Sequence, residues 1–311
     1  MGSTLSLAGR TAVVTGAGAG LGRSEALALA HLGADVVIND MGAAADDVVT
    51  QIKDLGRSAV AVKGDVGDWS MGERLVHTAV EEFGSLDIVV NNAGITRDRM
   101  LFNVTEEDWD DVIRVHLKGH ATVSRAAAAH WRETSKRSGG PVYGRLINTS
   151  SEAFLFGGPG QPNYAAAKAG ITALTLSAAQ GLAKYGVRAN AICPRGRTDM
   201  TADVFSAPTD DGDTSDILSP DRVGTFVGYL ASPGAEEISG QVFVVYGDMV
   251  ALMAAPTVEH TFTTDAGAFS TEELNAKVTP YFAGRDPLQG YAAYSVAELD
   301  TTGVGNAAAP R

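Results

Sequence analysis

Tyr164 and Lys168 lie four residues apart in the stretch QPNYAAAKAG, which covers residues 161–170. Alanine is the strongest helix former, and residues at i and i+4 share one face of a helix, so both side chains are predicted to project the same way. A phenol beside an ammonium can exchange protons with a bound molecule, because a neighbouring positive charge favours the phenolate. An ordinary solvated helix face has the same pattern, and the choice between the two depends on the rest of the chain.

A second candidate site is the glycine-rich segment TGAGAGLG, residues 15–22, which follows an apolar run and opens a helical pattern. Such loops let the backbone approach a pyrophosphate, whose charge then lies at the helix N-terminus. Asp40 ends the next apolar run, eighteen residues past Gly22. A carboxylate at this place accepts hydrogen bonds from a ribose 2′-hydroxyl and repels a 2′-phosphate, which predicts NAD rather than NADP as the cofactor. Asp40 could instead cap the turn that follows it.

Seven short apolar runs alternate with longer helical patterns along the chain. The runs are nearly continuously apolar, as expected for strands that are buried on both faces of a parallel sheet. They cover residues 11–16, 34–40, 58–65, 86–94, 144–151, 187–194 and 241–248, and the helical patterns cover residues 20–32, 44–56, 70–83, 105–133, 162–185 and 220–231. This order predicts an α/β fold of the Rossmann type, a doubly wound parallel seven-stranded sheet with helices on both faces.

Three segments fall outside this alternation. The polar residues 134–143 are predicted to form an exposed loop, and the acidic, turn-rich residues 202–219 are either a mobile lid or an acidic disordered segment. We assign residues 1–248 to a single NAD-binding and catalytic domain. Residues 249–311 are assigned to a C-terminal extension, packed on that domain or partly disordered.

The composition limits the classes of partner. The 311 residues include 24 Lys and Arg against 37 Asp and Glu, a formal net charge of −13, whereas nucleic-acid binders need clustered positive charge. Cys193 is the one cysteine and is predicted to be a buried, inert thiol. The sequence has no apolar run of membrane-span length and no secretory signal pattern. We therefore expect no nucleic-acid partner, no membrane span and a soluble, cytoplasmic protein.

The glycine segment has the form T-G-x-x-x-G-x-G, and it is followed by NNAG at residues 91–94 and by Y-x-x-x-K at residues 164–168. In this order and spacing, the motifs resemble those of the short-chain dehydrogenase/reductase family, over about residues 8–248. The resemblance implies that Tyr164 is the general acid/base and that Lys168 lowers its pKa and holds the nicotinamide ribose. It also implies a serine thirteen residues before the tyrosine that orients the substrate oxygen, which is Ser151, with Ser150 as the nearest alternative.

The expected pKa of Tyr164 follows from the reaction that these residues would catalyse. Oxidising an alcohol releases a hydroxyl proton, and a phenol with a pKa of about 10 is a poor base at neutral pH. A pKa lower by roughly three units requires about 4 kcal/mol of preferential phenolate stabilisation. An ammonium at about 4 Å supplies about 4 kcal/mol at an effective dielectric constant of about 20, helped by the positive charge of oxidised nicotinamide. We therefore expect Lys168 to lower the pKa of Tyr164.

The resemblance also implies cofactor contacts along the carboxyl ends of the strands. They come from the glycine loop, the end of the second strand, the segments GDV and NNAG, the catalytic pair and the loop after the sixth strand. These residues are Gly16, Gly20, Leu21, Gly22, Asp40, Asp65, Val66, Asn92, Ala93, Gly94, Tyr164, Lys168, Pro194 and Thr198. The last loop, CPRGRTDMT at residues 193–201, departs from the family, because Arg195 stands where a glycine is usual.

His116 is a further departure, since the family usually has an asparagine here that supports a water chain to the lysine. A histidine can accept and donate hydrogen bonds, so His116 is a catalytic candidate that could hold the same water and titrate near neutral pH. A buried, hydrogen-bonded helix histidine is the alternative. His120 follows at i+4, but no third ligand stands at metal-binding spacing, so we predict no metal site.

Three longer segments, NNAGITRDRM, EEDWDDVIRVHLKG and GQPNYAAAKAG, resemble the (3R)-hydroxyacyl-CoA dehydrogenase branch of the family, the branch of the peroxisomal multifunctional enzymes of type 2. That branch likewise has the histidine, the aspartate and a longer C-terminal tail. The resemblance implies NAD-dependent interconversion of a secondary alcohol and a ketone. The substrate would be a 3-hydroxyacyl-CoA, with a steroid-derived acyl chain among the candidates, or a free hydroxysteroid.

The same fold could serve two other functions, and two of its helical patterns bear on the oligomeric state. A 3-oxoacyl-acyl-carrier-protein reductase would share the fold and the triad, but Asp40 and the long tail count against it. A non-catalytic nucleotide-binding regulator would not need the complete triad. The helical patterns at residues 105–133 and 162–185 are apolar around much of their circumference, and the family usually pairs these helices, so we expect a homodimer or homotetramer.

Overall fold

A central sheet of eight strands organises the described part of the chain, which comprises residues 5–198, 216–286 and 290–299 of a computed structural model. The strands are β1 (Thr11–Thr15), β2 (Asp35–Asp40), β3 (Ala59–Lys63), β4 (Ile88–Asn91), β5 (Gly144–Thr149), β6 (Val187–Pro194), β7 (Val242–Tyr246) and β8 (Met249–Leu252). Their order is β3-β2-β1-β4-β5-β6-β7-β8, and the first seven are parallel. The strand order reverses at β1, which pairs with both β2 and β4, and such a switch point is where an open α/β sheet binds its ligand.

Helices cover both faces of the sheet. They are α1 (Gly20–His31), α2 (Ala44–Asp54), α3 (Trp69–Phe83), α4 (Glu106–Val112), α5 (Gly119–Ser138), α6 (Ala153–Phe156), α7 (Pro162–Leu182), α8 (Pro220–Ala231) and α9 (Thr271–Phe282). Val14 belongs to the core that α1, α2 and α8 cover, whereas its neighbour Val13 belongs to the core on the side of α3 and α5. Both faces of β1 are therefore buried, which explains the continuous apolar run and confirms the predicted Rossmann-type doubly wound fold.

The eighth strand corrects the predicted count of seven. Residues 249–252 of β8 run antiparallel to β7, and Gly247 makes the turn between them with a φ of +59°. The side chains of β8 alternate between half-buried and exposed, as in an edge strand with one face in solvent. All four residues are apolar, so the sequence shows no alternation that would have revealed the strand. The division of the chain at residue 248 stays a prediction.

The long helical pattern predicted at residues 105–133 differs in two ways from the helices found. A π-helix, Ile113–Lys118, separates α4 from α5. In addition, α5 continues to Ser138, so the loop predicted for residues 134–143 is wrong over its first five residues. Polar residues do not end a helix whose outer face is solvated. The helix ends instead at Gly139, which has a left-handed φ of +73°.

The predicted acidic lid or disordered segment lies largely outside the described residues. Of residues 202–219, only 216–219 are described, and they form a short turn before α8. Among the helices that the structure describes, none is long and apolar enough to cross a membrane.

Candidate active site

The three predicted catalytic residues meet at the carboxyl end of β5. Ser151 follows that strand by two residues, and α7 begins at Pro162, whose fixed φ suits the first turn of a helix. Tyr164 and Lys168 occupy the first two turns of α7, and the side chain of Ser151 hydrogen-bonds that of Tyr164. The Nζ atom of Lys168 lies 5.3 Å from the centroid of the Tyr164 ring. The structure therefore brings the proposed triad together.

Ser150, the alternative to Ser151, points into the protein. It is buried, its hydroxyl donates to the carbonyl of Lys168 at 3.0 Å, and its oxygen lies 2.8 Å from the hydroxyl of Thr172. Ser150 thereby holds β5 against α7. Its neighbour Ser151 is the serine that faces Tyr164.

The protonation of the pair differs from the expectation. Burial raises the pKa of Tyr164 to about 12, although the hydrogen bond with Ser151 acts in the opposite direction. Burial also lowers the pKa of Lys168 to about 7, because the ammonium loses its water, and Nζ donates to the carbonyl of Thr149 at 2.7 Å. Lys168 therefore does not lower the pKa of Tyr164 in the protein alone. A fully charged ammonium beside the phenol would lower the pKa of Tyr164, but burial removes part of the charge of Lys168 at neutral pH.

His116 contacts the catalytic tyrosine from the π-helix. The two rings meet edge to face with centroids 5.1 Å apart, and π-helical turns occur often at functional sites. The Nε2 atom of His116 lies 2.7 Å from the carbonyl oxygen and 3.0 Å from the amide nitrogen of Ile95. One nitrogen cannot serve both groups, and the shorter contact favours Nε2–H donating to the carbonyl. Nδ1 is then the acceptor, and no protein partner for it exists within the described residues.

The pKa of His116 bears on its role. Burial is the main cause that lowers this pKa to about 3, with the positive charge of Lys168 acting in the same direction. The imidazole is therefore neutral at physiological pH, and the expectation that it titrates near neutral pH is wrong. A neutral ring whose Nδ1 atom is a buried acceptor can still hold a water molecule, which is the role implied for the asparagine that the family usually has at this position.

Gly94 is the residue that makes room for this imidazole. A Cβ atom at Gly94 would lie 2.3 Å from Cε1 of His116. We therefore expect Gly94→Ala to destabilise the protein by about 1–3 kcal/mol through overpacking and to lower turnover because the ring must move against Tyr164. Urea unfolding and steady-state kinetics measure the two effects. Gly158→Ala is the control, because a Cβ atom there meets nothing within 4 Å; equal behaviour of the two variants would contradict the expectation.

The glycine loop has the cradle that a pyrophosphate needs. A Cβ atom at Gly16 would lie 2.7 Å from Cα of Ala93, and one at Gly22 would lie 2.3 Å from the carbonyl oxygen of Gly16. The side-chain amide of Asn92 donates to the carbonyls of Thr15 and Gly16, both at 3.1 Å, and so fixes the loop against the end of β4. No side chain caps the N-terminus of α1, which leaves its amide groups for an anion. These features fit a dinucleotide cofactor.

Asp40 lies beside the glycine loop. Its carboxylate accepts hydrogen bonds from the amides of Gly18 at 2.9 Å and Gly42 at 3.2 Å. Asp40 therefore caps a turn, as one of the two sequence interpretations has it, and its contact with an adenosine ribose stays a prediction. A negative charge fixed in this way disfavours a phosphate group at the 2′-position.

Asp65 and Val66 follow β3. Partial burial acts to raise the pKa of Asp65, but the amide of Gly67 and the guanidinium of Arg114 outweigh it and hold this pKa below its usual range. Asp65 also forms an ion pair with Arg114 of the π-helix. The side chain of Val66 is buried against Gly119, so only its backbone is free to meet an adenine. Contacts of these residues with a cofactor stay predictions.

The loop after β6 lies over the glycine loop. A Cβ atom at Gly20 would lie 3.0 Å from Cγ2 of Thr198, and one at Gly196 would lie 2.9 Å from Cδ2 of Leu21. The loop that follows Pro194 therefore lies against the glycine loop and the start of α1, which would hold the pyrophosphate. Residues 199–201 of the motif lie outside the described residues.

Two features of the site escaped sequence reasoning. Glu25 of α1 is fully buried, neither of its carboxylate oxygens has a hydrogen-bond partner in the described residues, and burial raises its pKa to about 8. Its position among the alanines and leucines of α1 was the available indication. Arg195 pairs with Glu152, 43 residues earlier, and no local pattern could have revealed this contact. The described residues contain no cluster of three His, Cys, Asp or Glu that could hold a metal ion.

The chain belongs to the short-chain dehydrogenase family. The sequence profile of that family, described as short chain dehydrogenase, matches residues 10–209 and so spans the glycine loop, the triad and the sheet between them. The protein is therefore an oxidoreductase that acts on a CH–OH group, and the dehydrogenases of this family use a nicotinamide cofactor.

Three relatives indicate which branch of the family this chain resembles. Hydroxyacyl-CoA dehydrogenase ChsB1 of Mycobacterium tuberculosis is 56% identical over 299 residues, which cover 94% of each chain. Peroxisomal multifunctional enzyme type 2 of Mus musculus is 41% identical over 77% of this chain, which spans 32% of the mouse protein. A 3-oxoacyl-acyl-carrier-protein reductase of Synechocystis is 39% identical over 78% of this chain and 98% of its own length. The resemblance to the hydroxyacyl-CoA dehydrogenase branch is thereby confirmed.

A solved structure is also similar. A short chain dehydrogenase from Mycobacterium avium matches with a TM-score of 0.78 and 43% identity, over 90% of this chain and 97% of that one. At this identity the likeness extends beyond the fold to the family.

Proposed function

We propose that the protein is an NAD-dependent dehydrogenase of 3-hydroxyacyl-CoA thioesters, which interconverts the 3-hydroxyl group and a ketone. The observation that carries the proposal is the 56% identity to a hydroxyacyl-CoA dehydrogenase over 94% of both chains. The hydrogen bond between Ser151 and Tyr164, with Lys168 beside it, supports proton transfer at an alcohol oxygen. The acyl-carrier-protein reductase is less favoured, because its identity is lower and because the carboxylate of Asp40 lies beside the glycine loop, where it would disfavour the 2′-phosphate of NADP.

The residues of this chain divide the binding of the cofactor between them. The backbone of Gly16, Gly20 and Gly22 and the N-terminus of α1 would hold the pyrophosphate, and Asp40 the ribose hydroxyl groups. Lys168 would hold the nicotinamide ribose. The remaining predicted contacts come from the loops after β3, β4 and β6, through Leu21, Asp65, Val66, Asn92, Ala93, Gly94, Pro194 and Thr198.

Proton transfer falls to Tyr164. A bound oxidised nicotinamide would supply the acceptor for the hydride of the carbinol carbon and a positive charge at the site. Ser151 would hold the substrate oxygen, and Tyr164 as the phenolate would remove its hydroxyl proton, so that the C–H bond breaks and the C=O bond forms. The phenol pKa of about 12 then has to fall, and the added positive charge acts in that direction. Lys168, with a pKa of about 7, can pass a proton onward at neutral pH.

The choice of cofactor is tested by Asp40→Ala. Because hydrogen bonds to a charged group contribute about 1.5–3 kcal/mol, we expect the preference for NAD over NADP to fall by roughly tenfold to 100-fold. The measurement is kcat/KM with each cofactor. Asp47→Ala, on the exposed side of α2, is the control and should keep the preference of the parent. A parent enzyme that prefers NADP would contradict the assignment of NAD.

One kinetic panel tests the proposed substrate. It compares straight-chain and steroid-derived 3-hydroxyacyl-CoA esters, a free hydroxysteroid and a 3-hydroxyacyl-acyl-carrier-protein, each with NAD and NADP. Turnover of CoA esters with NAD supports the proposal, and a preference for the carrier protein with NADP would establish the reductase instead. No turnover with any pair would favour a nucleotide-binding regulator.

The proposal includes a homodimer or homotetramer in the cytoplasm. Leu176 of α7 and Trp109 of α4 are large apolar side chains with more than a third of their surface exposed, at 39% each, on helices that the family usually pairs. Burial of such residues against a second copy stabilises an oligomer. A monomeric mass in solution would contradict this part of the proposal, and cell fractionation would test the location.

A further inference from the structure

Arg195 forms a two-pronged ion pair with Glu152. Its Nε and Nη2 atoms donate to the two carboxylate oxygens of Glu152 at 2.6 and 2.8 Å. Both side chains are largely buried, with exposed fractions of 17% and 13%. The guanidinium also lies 4.6 Å from the centroid of the Tyr246 ring. Paired, charge-assisted bonds of this kind fix both partners in one relative orientation.

Each partner of the ion pair directly follows a residue of the proposed site. Glu152 directly follows Ser151, and Arg195 directly follows Pro194, the start of the loop that lies over the glycine loop. The amide of Arg195 donates to the carbonyl of Val245 at 2.9 Å, which fixes its backbone to β7. The ion pair therefore joins the residue after the proposed substrate-orienting serine to the residue that opens the loop over the glycine loop, where cofactor contacts are predicted. A glycine in place of Arg195 could not make this connection.

A third element completes the arrangement. The C-terminal segment, residues 292–299, crosses α6 and β7: the amide of Ala293 donates to the carbonyl of Leu155 at 3.0 Å, and the hydroxyl of Tyr246 donates to the carbonyl of Leu299 at 2.5 Å. Arg195 itself donates to the carbonyl of Val296 at 3.3 Å. The Val296 side chain is 1% exposed and belongs to a core cluster with Cys193 of β6. The segment thus covers the Arg195–Glu152 pair.

We propose that Arg195 is a positioning residue that acts through Glu152 on Ser151, and that the C-terminal segment, residues 292–299, holds this pair in place. The pair sets the distance between the substrate side of the site, which follows β5, and the cofactor side, which follows β6. Because the carboxylate is largely buried, removing Arg195 leaves it without its charged partner, and the loop that carries Ser151 has to shift to reach water. The C-terminal segment therefore contributes to turnover without contacting the reacting atoms.

The first test replaces each partner of the pair. We expect Arg195→Gln and Glu152→Gln to raise KM for the hydroxy substrate and to lower kcat, together by roughly tenfold to 100-fold in kcat/KM, while the dissociation constant of the cofactor changes by about twofold or less. Arg195→Lys should recover part of the loss, because an ammonium restores the charge but not the two-pronged geometry. The double variant should lose little more than either single variant.

The second test addresses the C-terminal segment in the full-length chain and has a readout apart from activity, since the kinetic assay rests on the proposed function. Hydrogen exchange at the amides of residues 293–299 should quicken in Arg195→Gln. Val296→Gly should raise KM in the same direction as Arg195→Gln, and the two changes should not be additive. If the parent enzyme turns over no hydroxyacyl-CoA, the proposed function fails, and the exchange measurement still tests the connection.

A matched ion pair elsewhere supplies the control. Arg57 and Asp35 form an ion pair at 2.7 Å, with exposed fractions of 30% and 22%. Asp35 begins β2, so this pair lies at the amino ends of the parallel strands, away from the carboxyl ends that form the proposed site. Arg57→Gln should leave KM and kcat unchanged. The inference is overturned if Arg195→Gln lowers the melting temperature as Arg57→Gln does but leaves KM and kcat at parent values, or if exchange at residues 293–299 does not change.

Discussion

Tyr164→Phe is expected to lower kcat by roughly 10²–10⁴-fold, the usual contribution of a general acid–base residue. The phenyl ring keeps the edge-to-face contact with His116 but has no proton to exchange and no hydrogen bond with Ser151. Since Lys168 and the glycine loop are untouched, we expect the dissociation constant of the cofactor to change by about twofold or less. Steady-state kinetics and calorimetric titration with NAD measure the two quantities.

The control for this substitution is Tyr229→Phe, which removes a hydroxyl from an exposed tyrosine of α8. It should behave as the parent in both measurements. Turnover of Tyr164→Phe above about a tenth of the parent value would show that another group transfers the proton, because the expected loss is at least about 100-fold.

Lys168→Met is expected to impair both catalysis and cofactor binding. Methionine fills a similar volume but cannot hold a ribose hydroxyl, carry a proton from Tyr164 or donate to the carbonyl of Thr149. We expect kcat/KM to fall by at least about 100-fold and the dissociation constant of NAD to rise by about tenfold, as lost hydrogen bonds to a charged group imply. Unchanged NAD binding would contradict the assignment of Lys168 to the ribose.

The same variant has a signature in stability. The pKa of Lys168 is about 7 in the folded protein against 10.5 for an ordinary lysine, so between these values the unfolded chain binds more protons at this residue. The free energy of unfolding of the parent should therefore rise with pH relative to that of Lys168→Met, by up to about 1.4 kcal/mol per pH unit. Below about pH 7 the difference should be constant. Urea unfolding of both proteins at pH 7, 8 and 9 measures it.

An exposed lysine provides the comparison. Lys53→Met, on the solvent side of α2, should keep the activity and the NAD affinity of the parent. A constant gap in stability between Lys168→Met and the parent from pH 7 to 9 would mean that Lys168 is charged in the folded protein, contrary to its burial.

The sequence was sufficient for the parts of the fold and site that depend on local spacing. Strands buried on both faces must be continuously apolar, so the seven parallel strands and the intervening helices could be predicted. Gly16 and Gly22 are required because backbone atoms approach the places where their Cβ atoms would lie, and the helical period places Tyr164 and Lys168 on one face. The family follows from these motifs together, and the profile match confirms it.

Other features depend on contacts between distant parts of the chain. The antiparallel strand β8 has no alternation in its four residues, and the π-helix that carries His116 forms within an otherwise regular helical pattern. Arg195 was visible in the sequence only as a departure from the family. Its proposed role rests on its contacts with Glu152 and with the C-terminal segment, which only the fold brings next to it.

The protonation states of the site residues show most clearly what the sequence determined and what required the tertiary structure. Residue types and spacing by themselves determined which groups could exchange protons, namely Tyr164 with Lys168 and Ser151. Only the tertiary structure decided their charge states: burial raises the pKa of Tyr164, lowers that of Lys168 and keeps His116 neutral. The physical reason is that a pKa depends on how much water and which charges surround a group, and both are set by residues far away in the chain.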